Sequence, residues 1–171
     1  MKRSGKIVFI IPSVTALFFA MLVWCQYEYS MGKAEAFQAN YAYLDSKLLI
    51  TTQKSAFKDS ITQLLVTYYT QDPVIIKVID ISSLSKIDPA YYTAIAIFHT
   101  WENWEPPLEV KSFVDRTSAI RKKTIVLTTS GDGTFKIKEV DAITGESKIE
   151  DAPQFADKLI GKLDPILKAK N

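Results

Sequence analysis

The sequence predicts an α/β domain built on a parallel β-sheet and preceded by a membrane-spanning helix. Short apolar runs alternate with helix-periodic segments from residue 47 onward, a pattern that favours a parallel sheet with right-handed crossovers. Residues 92–116 contain a buried strand, an aromatic loop and an amphipathic helix in succession. Residues 7–25 form an uncharged apolar run. Ligands bind at the carboxyl end of the strands in such sheets, which is where the aromatic loop lies.

The uncharged run predicts an uncleaved anchor, because about twenty apolar residues span a bilayer core. A cleaved signal peptide is the alternative, but the bulky residues Trp24, Gln26 and Tyr27 stand where small residues would be needed. Three basic residues precede the run, so the positive-inside rule predicts a cytoplasmic N-terminus and a C-terminal domain that is periplasmic or extracellular. The predicted regions are a cytoplasmic N-terminus (1–6), a single-pass anchor (7–27), a juxtamembrane linker (28–46) and a folded domain (47–171).

The linker is predicted to be helical because Phe37, Tyr41 and Leu44 follow at i, i+4 and i+7. Such a helix packs on the domain or contacts another membrane subunit. The sequence leaves both interpretations open.

The domain is predicted to contain five strands and three helices. The helices are one that ends near Tyr69, one that follows Pro106-Pro107, and one over residues 152–167. Residues 80–90 leave little room for a helix, and none is expected between the fourth and fifth strands. The strands are predicted over residues 47–52, 74–79, 94–98 and 125–129 and within 135–143.

Two segments resemble flavodoxin-like proteins. The stretch from Tyr92 to Arg116, YTAIAIFHTWENWEPPLEVKSFVDR, is similar to their third strand and following helix, and KKTIVLTTSG from Lys122 to Gly131 is similar to their fourth strand and its Ser-Gly loop. The resemblance covers roughly residue 47 to the C-terminus. It implies a three-layer fold with strand order 2-1-3-4-5. Function needs its own argument, because this fold hosts many activities.

The resemblance implies an FMN phosphate site after the first strand, where amides and hydroxyls converge on an anion at a helix N-terminus. The matching residues are Thr52, Lys54 and Ser55. The stretch lacks the usual glycine and the regular hydroxyl spacing, so this site is altered. Ser55 is equally well explained as a simple helix N-cap.

The flavin ring would lie between the loops after the third and fourth strands. Thr100, Trp101 and Trp104 come from the first loop, and Ser130 and Gly131 from the second. A flat indole can stack on the ring. Alternatively, one tryptophan packs on the domain and the other faces a partner or the membrane. The second loop, with Gly131-Asp132-Gly133, would then be only a tight turn.

Residues 141–147 also resemble the D-x-x-[ST]-G-A-[ST] signature for covalent flavin attachment in certain extracytoplasmic redox subunits. Ser147 would be the acceptor, but Glu146 replaces the small alanine. We interpret this segment as a strand and a turn that lead into the last helix.

Composition excludes several classes of function. The formal net charge is only +2, and the sequence contains no basic stretch with interleaved aromatic residues. Nucleic acid is therefore not an expected partner. One cysteine, Cys25, and one histidine, His99, exclude metal sites rich in these residues. His99 ends the third strand and is expected to face the crevice. A general acid/base role is conceivable there, but a lone histidine without a partner motif is more often structural. No catalytic constellation is recognisable.

Two functional hypotheses remain. In the first, the protein is a membrane-anchored, extracytoplasmic flavodoxin-like protein that binds FMN noncovalently for electron transfer. In the second, it is a flavin-free accessory domain that binds another membrane or envelope protein through the loop from Trp101 to Pro107.

Overall fold

A computed structural model describes residues 4–29, 31–40, 45–102, 104–137 and 140–169. The chain divides into two compact units, Met1–Met31 and Gly32–Asn171.

The N-terminal unit contains one helix, α1, over Ser4–Tyr29, which confirms the helical part of the anchor prediction. Side chains are described for residues 11–24 of this helix, and their large apolar members are exposed. Within the described residues, no helix is both long and apolar enough to cross a membrane. The predicted span over residues 7–27 extends at both ends beyond the described side chains. Membrane spanning is therefore not supported by this finding.

A seven-stranded sheet forms the centre of the C-terminal unit. Five of its strands are parallel and lie in the order β4-β3-β5-β6-β7. This is the predicted order 2-1-3-4-5, to which two short antiparallel strands are added. The strands are β1 (Gly32–Lys33), β2 (Phe37–Ala39), β3 (Ser46–Lys54), β4 (Val74–Asp80), β5 (Ala94–Thr100), β6 (Thr124–Thr129) and β7 (Asp141–Gly145).

The predicted helical linker is wrong over the described part of residues 28–46 that follows α1, because this segment contains β1 and β2. β2 pairs antiparallel with β4, from Phe37 opposite Val78 to Ala39 opposite Ile76. It thereby covers the edge of the sheet, which would otherwise present unpaired backbone groups. Two of the three residues that suggested a helical stripe, Tyr41 and Leu44, lie outside the described residues.

The last strand also differs from its prediction within residues 135–143. β7 runs over Asp141–Gly145 and pairs with β6 up to Thr129 opposite Gly145. Phe135 is not in a strand, and its ring packs on Trp101. As expected, the described residues between β6 and β7 contain no helix.

The sheet lies between two helical layers. Leu48, Ile50 and Phe98 belong to the core beneath α2 and α4, whereas Leu49 and Ile97 belong to the core beneath α3. Alternate residues of a strand face opposite sides of a sheet, which explains this division. Two short 3-10 segments over residues 81–91 take the place of a helix between β4 and β5. The helices are α2 (Ala56–Tyr69), α3 (Leu108–Arg116) and α4 (Ala152–Leu167).

Candidate functional site

A buried lysine lies at the carboxyl edge of the sheet. Lys58, in the first turns of α2, is fully buried. Its ammonium group donates a 2.7 Å hydrogen bond to the hydroxyl of Thr100 at the end of β5. The Thr100 hydroxyl lies 2.8 Å from that of Thr129, which in turn donates to the carbonyl of His99 at 3.3 Å. A chain of hydrogen bonds thus runs from α2 across the ends of β5 and β6.

Gln53 joins the same network from the end of β3. Its side-chain oxygen accepts from the backbone N–H of Thr100 at 2.7 Å, and its amide donates to Glu102 at 2.8 Å. Both ends of the amide group are therefore satisfied. The network ties β3 to the beginning of the aromatic loop and holds that loop on the sheet.

Burial lowers the pKa of Lys58 from its ordinary value of 10.5 to about 8, because removal from water disfavours the charged form. The negative charges of Glu102 and Asp59 act in the opposite direction. Lys58 is therefore mainly protonated at neutral pH.

The connection from β3 to α2 consists of the single residue Ser55. Its hydroxyl accepts from the backbone N–H of Lys58 at 3.2 Å, so the N-cap interpretation is confirmed. Gln53 and Lys54 lie in β3 and pair with β1. Phosphate cradles need a loop whose free amides converge on the anion, and a one-residue connection cannot form one. The geometry here does not fit an FMN phosphate.

The aromatic loop holds its two tryptophans in different environments. The indole of Trp101 stacks on the ring of Phe135, with centroids 4.8 Å apart and an interplanar angle of 13°. The buried indole N–H of Trp101 has no hydrogen-bond partner among the described residues. Trp104 touches the edge of the same Phe135 ring, yet 81% of its surface is exposed. Its φ of +67° lies in the left-handed region, which bulky residues rarely adopt.

The loop after β6 forms a tight turn. The hydroxyl of Ser130 donates to Asp132, which also accepts from the backbone N–H of Thr134. These hydrogen bonds lower the pKa of the Asp132 carboxyl, with the backbone N–H of Thr134 as the main cause. Gly131 lies at the exposed surface of this turn.

His99 does not face a crevice, contrary to the expectation. It is fully buried, and its Nε2 lies 3.0 Å from the hydroxyl of Thr128. Burial lowers its pKa to about 4, so the imidazole is neutral at physiological pH. This agrees with a structural role.

The structure therefore separates the predicted site residues into groups. Thr100, Trp101, Ser130 and Gly131 lie around the ends of β5 and β6, whereas Trp104 points to solvent. Thr52 and Lys54 line a different cavity, beside α2. Sequence reasoning missed Lys58, although its spacing to Ile61 and Leu65 places it on the buried face of the helix. It also missed two other residues of the site, which are Glu102 and Phe135.

No protein-family profile matches the sequence, and no curated protein matches it either. Among solved structures, the chain is similar to general stress protein 14 from Treponema denticola, which was crystallised in complex with FMN. The two share 12% sequence identity, the match covers 71% of this chain and 99% of that one, and the TM-score is 0.43. At this TM-score, the similarity carries no argument about function.

Proposed function

We propose that the C-terminal unit is a flavin-free accessory domain that binds another protein through the loop from Trp101 to Pro107, the binding loop. The observation that carries this proposal is Trp104, which is 81% exposed at a φ of +67°. A bulky side chain in that conformation costs about 1–2 kcal/mol relative to an ordinary backbone. Backbone strain of this kind clusters at functional sites.

Hydrogen bonds hold the described residues of the binding loop on both sides of Trp104. Glu102 and Glu105 exchange two backbone hydrogen bonds, of 3.0 and 3.1 Å, and so close a narrow hairpin. The side chain of Glu102 is fixed by Gln53, and the backbone N–H of Trp101 donates to Thr129. A preorganised loop loses little conformational entropy when it binds. Tryptophan is also a typical hot-spot residue at protein interfaces.

The charge around the loop indicates the chemistry of the partner. Leu108, four residues after Trp104 in the sequence, is also exposed, and Glu105 and Glu109 follow these two residues directly in the chain. Residues 101–110 contain three glutamates and no basic residue. A protein with an apolar recess and a basic rim is complementary to this surface. An anionic lipid surface would be repelled.

Site-specific photo-crosslinking tests the proposal. A benzophenone amino acid at position 104 should yield one discrete crosslinked protein, whereas the same group at Tyr91, which is also exposed, should not. The purified partner should then bind the wild-type chain in a salt-dependent manner, and Trp104→Ala should weaken it at least tenfold. Equal crosslinking from both positions would reject the proposal.

FMN binding is the second candidate. Trp101 already stacks on a flat ring, and that ring comes from residues 134–137, which are in no helix or strand. A flavin could replace Phe135 on the indole. The missing phosphate loop predicts that FMN and riboflavin would bind about equally. Titration of both flavins, followed by flavin fluorescence, checks this; a clear preference for FMN would show that a phosphate site exists.

We also propose that residues 7–27 anchor the protein in a membrane, with the N-terminus in the cytoplasm and the C-terminal unit outside it. This rests on the uncharged run and its basic N-terminal flank. Alkaline carbonate extraction should leave the full chain in the membrane pellet. A cytoplasm-dependent reporter fused after Asn171 should be inactive, and an active reporter would overturn the orientation.

A further inference from the structure

A cavity of about 280 Å³ lies near the amino ends of the parallel strands. The binding loop follows the carboxyl end of β5, so the two places are at opposite ends of the sheet. Two short 3-10 segments connect β4 to β5 here, where a helix is the usual crossover between parallel strands. The residues that line the cavity are Gln38, Lys47, Ile75, Lys77, Tyr91 and Tyr92.

The strand register brings two lysines together at this cavity. Lys77 of β4 lies opposite Leu49 of β3, and Lys47 lies opposite Ile75, two residues before Lys77. Alternate residues of a strand share a face, so Lys47 and Lys77 are diagonal neighbours, within reach of long side chains. Gln38 of β2 lies directly opposite Lys77 on its other side. Two ammonium groups and one amide can therefore converge on a single ligand.

The positive charge of these lysines is not compensated by the described residues. Neither Lys47 nor Lys77 forms a salt bridge within the described part of the chain. None of the described residues that line the cavity is acidic. Charged side chains often protect the edge of a sheet, but β2 already covers β4, so edge protection does not explain Lys77. An anion between the two lysines would offset their mutual repulsion.

Two tyrosines give the cavity an aromatic side. Tyr92 packs partly on the core beneath α3. The ammonium group of Lys123 donates to the carbonyls of Pro89 and Tyr92, at 2.9 and 2.6 Å, and so fixes this segment. Tyr91 is 68% exposed, so its ring is accessible to a ligand. A flat ring can stack on such a tyrosine.

We propose that this cavity binds a small phosphate monoester that carries a flat ring. The phosphate oxygens accept hydrogen bonds from the ammonium groups of Lys47 and Lys77 and from the amide of Gln38, while the ring stacks on Tyr91. Two lysines match the nearly two negative charges of such a phosphate at neutral pH, and hydrogen bonds between charged groups are the strong ones. A cationic ligand would be repelled.

Titration of the ¹⁵N-labelled full chain with phenyl phosphate tests this inference, at about pH 7.5 and constant ionic strength. Saturable amide shifts are expected at the residues that line the cavity. Phenol lacks the charge and inorganic phosphate lacks the ring, so each should bind at least tenfold more weakly. Benzylamine, which has a ring of the same size and a positive charge, should not saturate.

Three variants assign the contacts. Lys47→Met and Lys77→Met should each weaken phenyl phosphate about tenfold, since a hydrogen bond to a charged group is lost. Tyr91→Ala should weaken phenyl phosphate but not inorganic phosphate, because only the first has a ring. Lys33→Met is the matched control and should bind like the wild type, because Lys33 is exposed on β1, which pairs with the opposite end of β3.

Thermal unfolding shows whether each variant is folded, and Lys77→Met, at an exposed position, decides the question if Lys47→Met is not. The inference fails if phenyl phosphate does not saturate by about 10 mM, if benzylamine binds as well, or if Tyr91→Ala binds phenyl phosphate like the wild type. It also fails if Lys33→Met weakens binding as much as Lys77→Met, because net charge alone would then explain the attraction.

Discussion

The phenyl ring of Phe135 lies flat against the indole of Trp101, with 4.8 Å between their centroids and 13° between their planes. The two residues come from the loops after β5 and β6. These are the loops between which the flavodoxin resemblance implies a flavin ring. The chain supplies its own aromatic ring at this place.

Replacing Phe135 by alanine should expose the face of Trp101. We expect a loss of about 1 kcal/mol in the free energy of unfolding, because a stacked pair contributes roughly 0.5–1.5 kcal/mol beyond its buried area. Tryptophan fluorescence should change at the same time. If Phe135 occupies a latent flavin position, Phe135→Ala should bind riboflavin about tenfold more tightly than the wild type. Absence of flavin quenching in both proteins at high micromolar concentration would exclude the flavin candidate.

Trp104→Gly should stabilise the domain while it abolishes partner binding. Glycine adopts a φ near +67° without strain, and little burial is lost because Trp104 is 81% exposed. We expect a gain of about 1 kcal/mol in denaturant unfolding. Trp104→Ala removes the same ring but keeps a Cβ in the strained conformation. It should therefore lose partner binding without the gain in the free energy of unfolding. A loss of stability in Trp104→Gly would mean that packing contacts of the indole stabilise the folded domain.

Lys58 should make stability depend on pH. Its pKa is about 8 in the folded protein and has an ordinary value of 10.5 in the unfolded chain. Between about pH 8 and 10 the unfolded chain therefore binds more protons, and the free energy of unfolding rises with pH. The full difference corresponds to about 3 kcal/mol at 1.36 kcal/mol per pKa unit. Denaturant unfolding at several pH values measures it.

Lys58→Met should remove this rise, since methionine does not titrate. Lys111→Met is the control, because Lys111 is exposed and pairs with Asp115 on the surface of α3; it should keep the rise. The measurement should stop near pH 10. Burial, together with a hydrogen bond to Asp164, raises the pKa of Tyr69, so stability falls at higher pH as the unfolded chain loses that proton. A flat wild-type profile from pH 8 to 10 would contradict the burial of a charged Lys58.

Two glycine-to-alanine changes should have opposite effects. A Cβ on Gly145 would collide with the ring of Phe155, so Gly145→Ala should cost about 1–3 kcal/mol through overpacking. Gly161 lies within α4 and has open space around it, so Gly161→Ala should gain about 1 kcal/mol of helix propensity. Thermal or denaturant unfolding of both variants measures the difference. Equal effects would mean that β7 and α4 do not pack as described.

The amino-acid sequence alone determined the parallel core. The strands β3 to β6 and the helices α2, α3 and α4 were predicted from apolar runs, from helical periodicity and from local signals such as the Ser55 cap, all of which act within a few residues. Their order in the sheet followed from the alternation of strands and helices and from the resemblance. In these parts of the chain, local preference and burial favour the same structure.

Only the tertiary structure decided the remainder, because it depends on groups far apart in the chain. β2 forms because the backbone of β4 would otherwise have an unpaired edge, and backbone hydrogen bonds leave no signal in side-chain periodicity. The ammonium group of Lys58 finds its hydrogen-bond acceptor only in the folded chain, in the hydroxyl of Thr100, 42 residues away. Phe135 lies outside its predicted strand and stacks on Trp101, a residue from a different loop. The candidate site consists mainly of such long-range pairs.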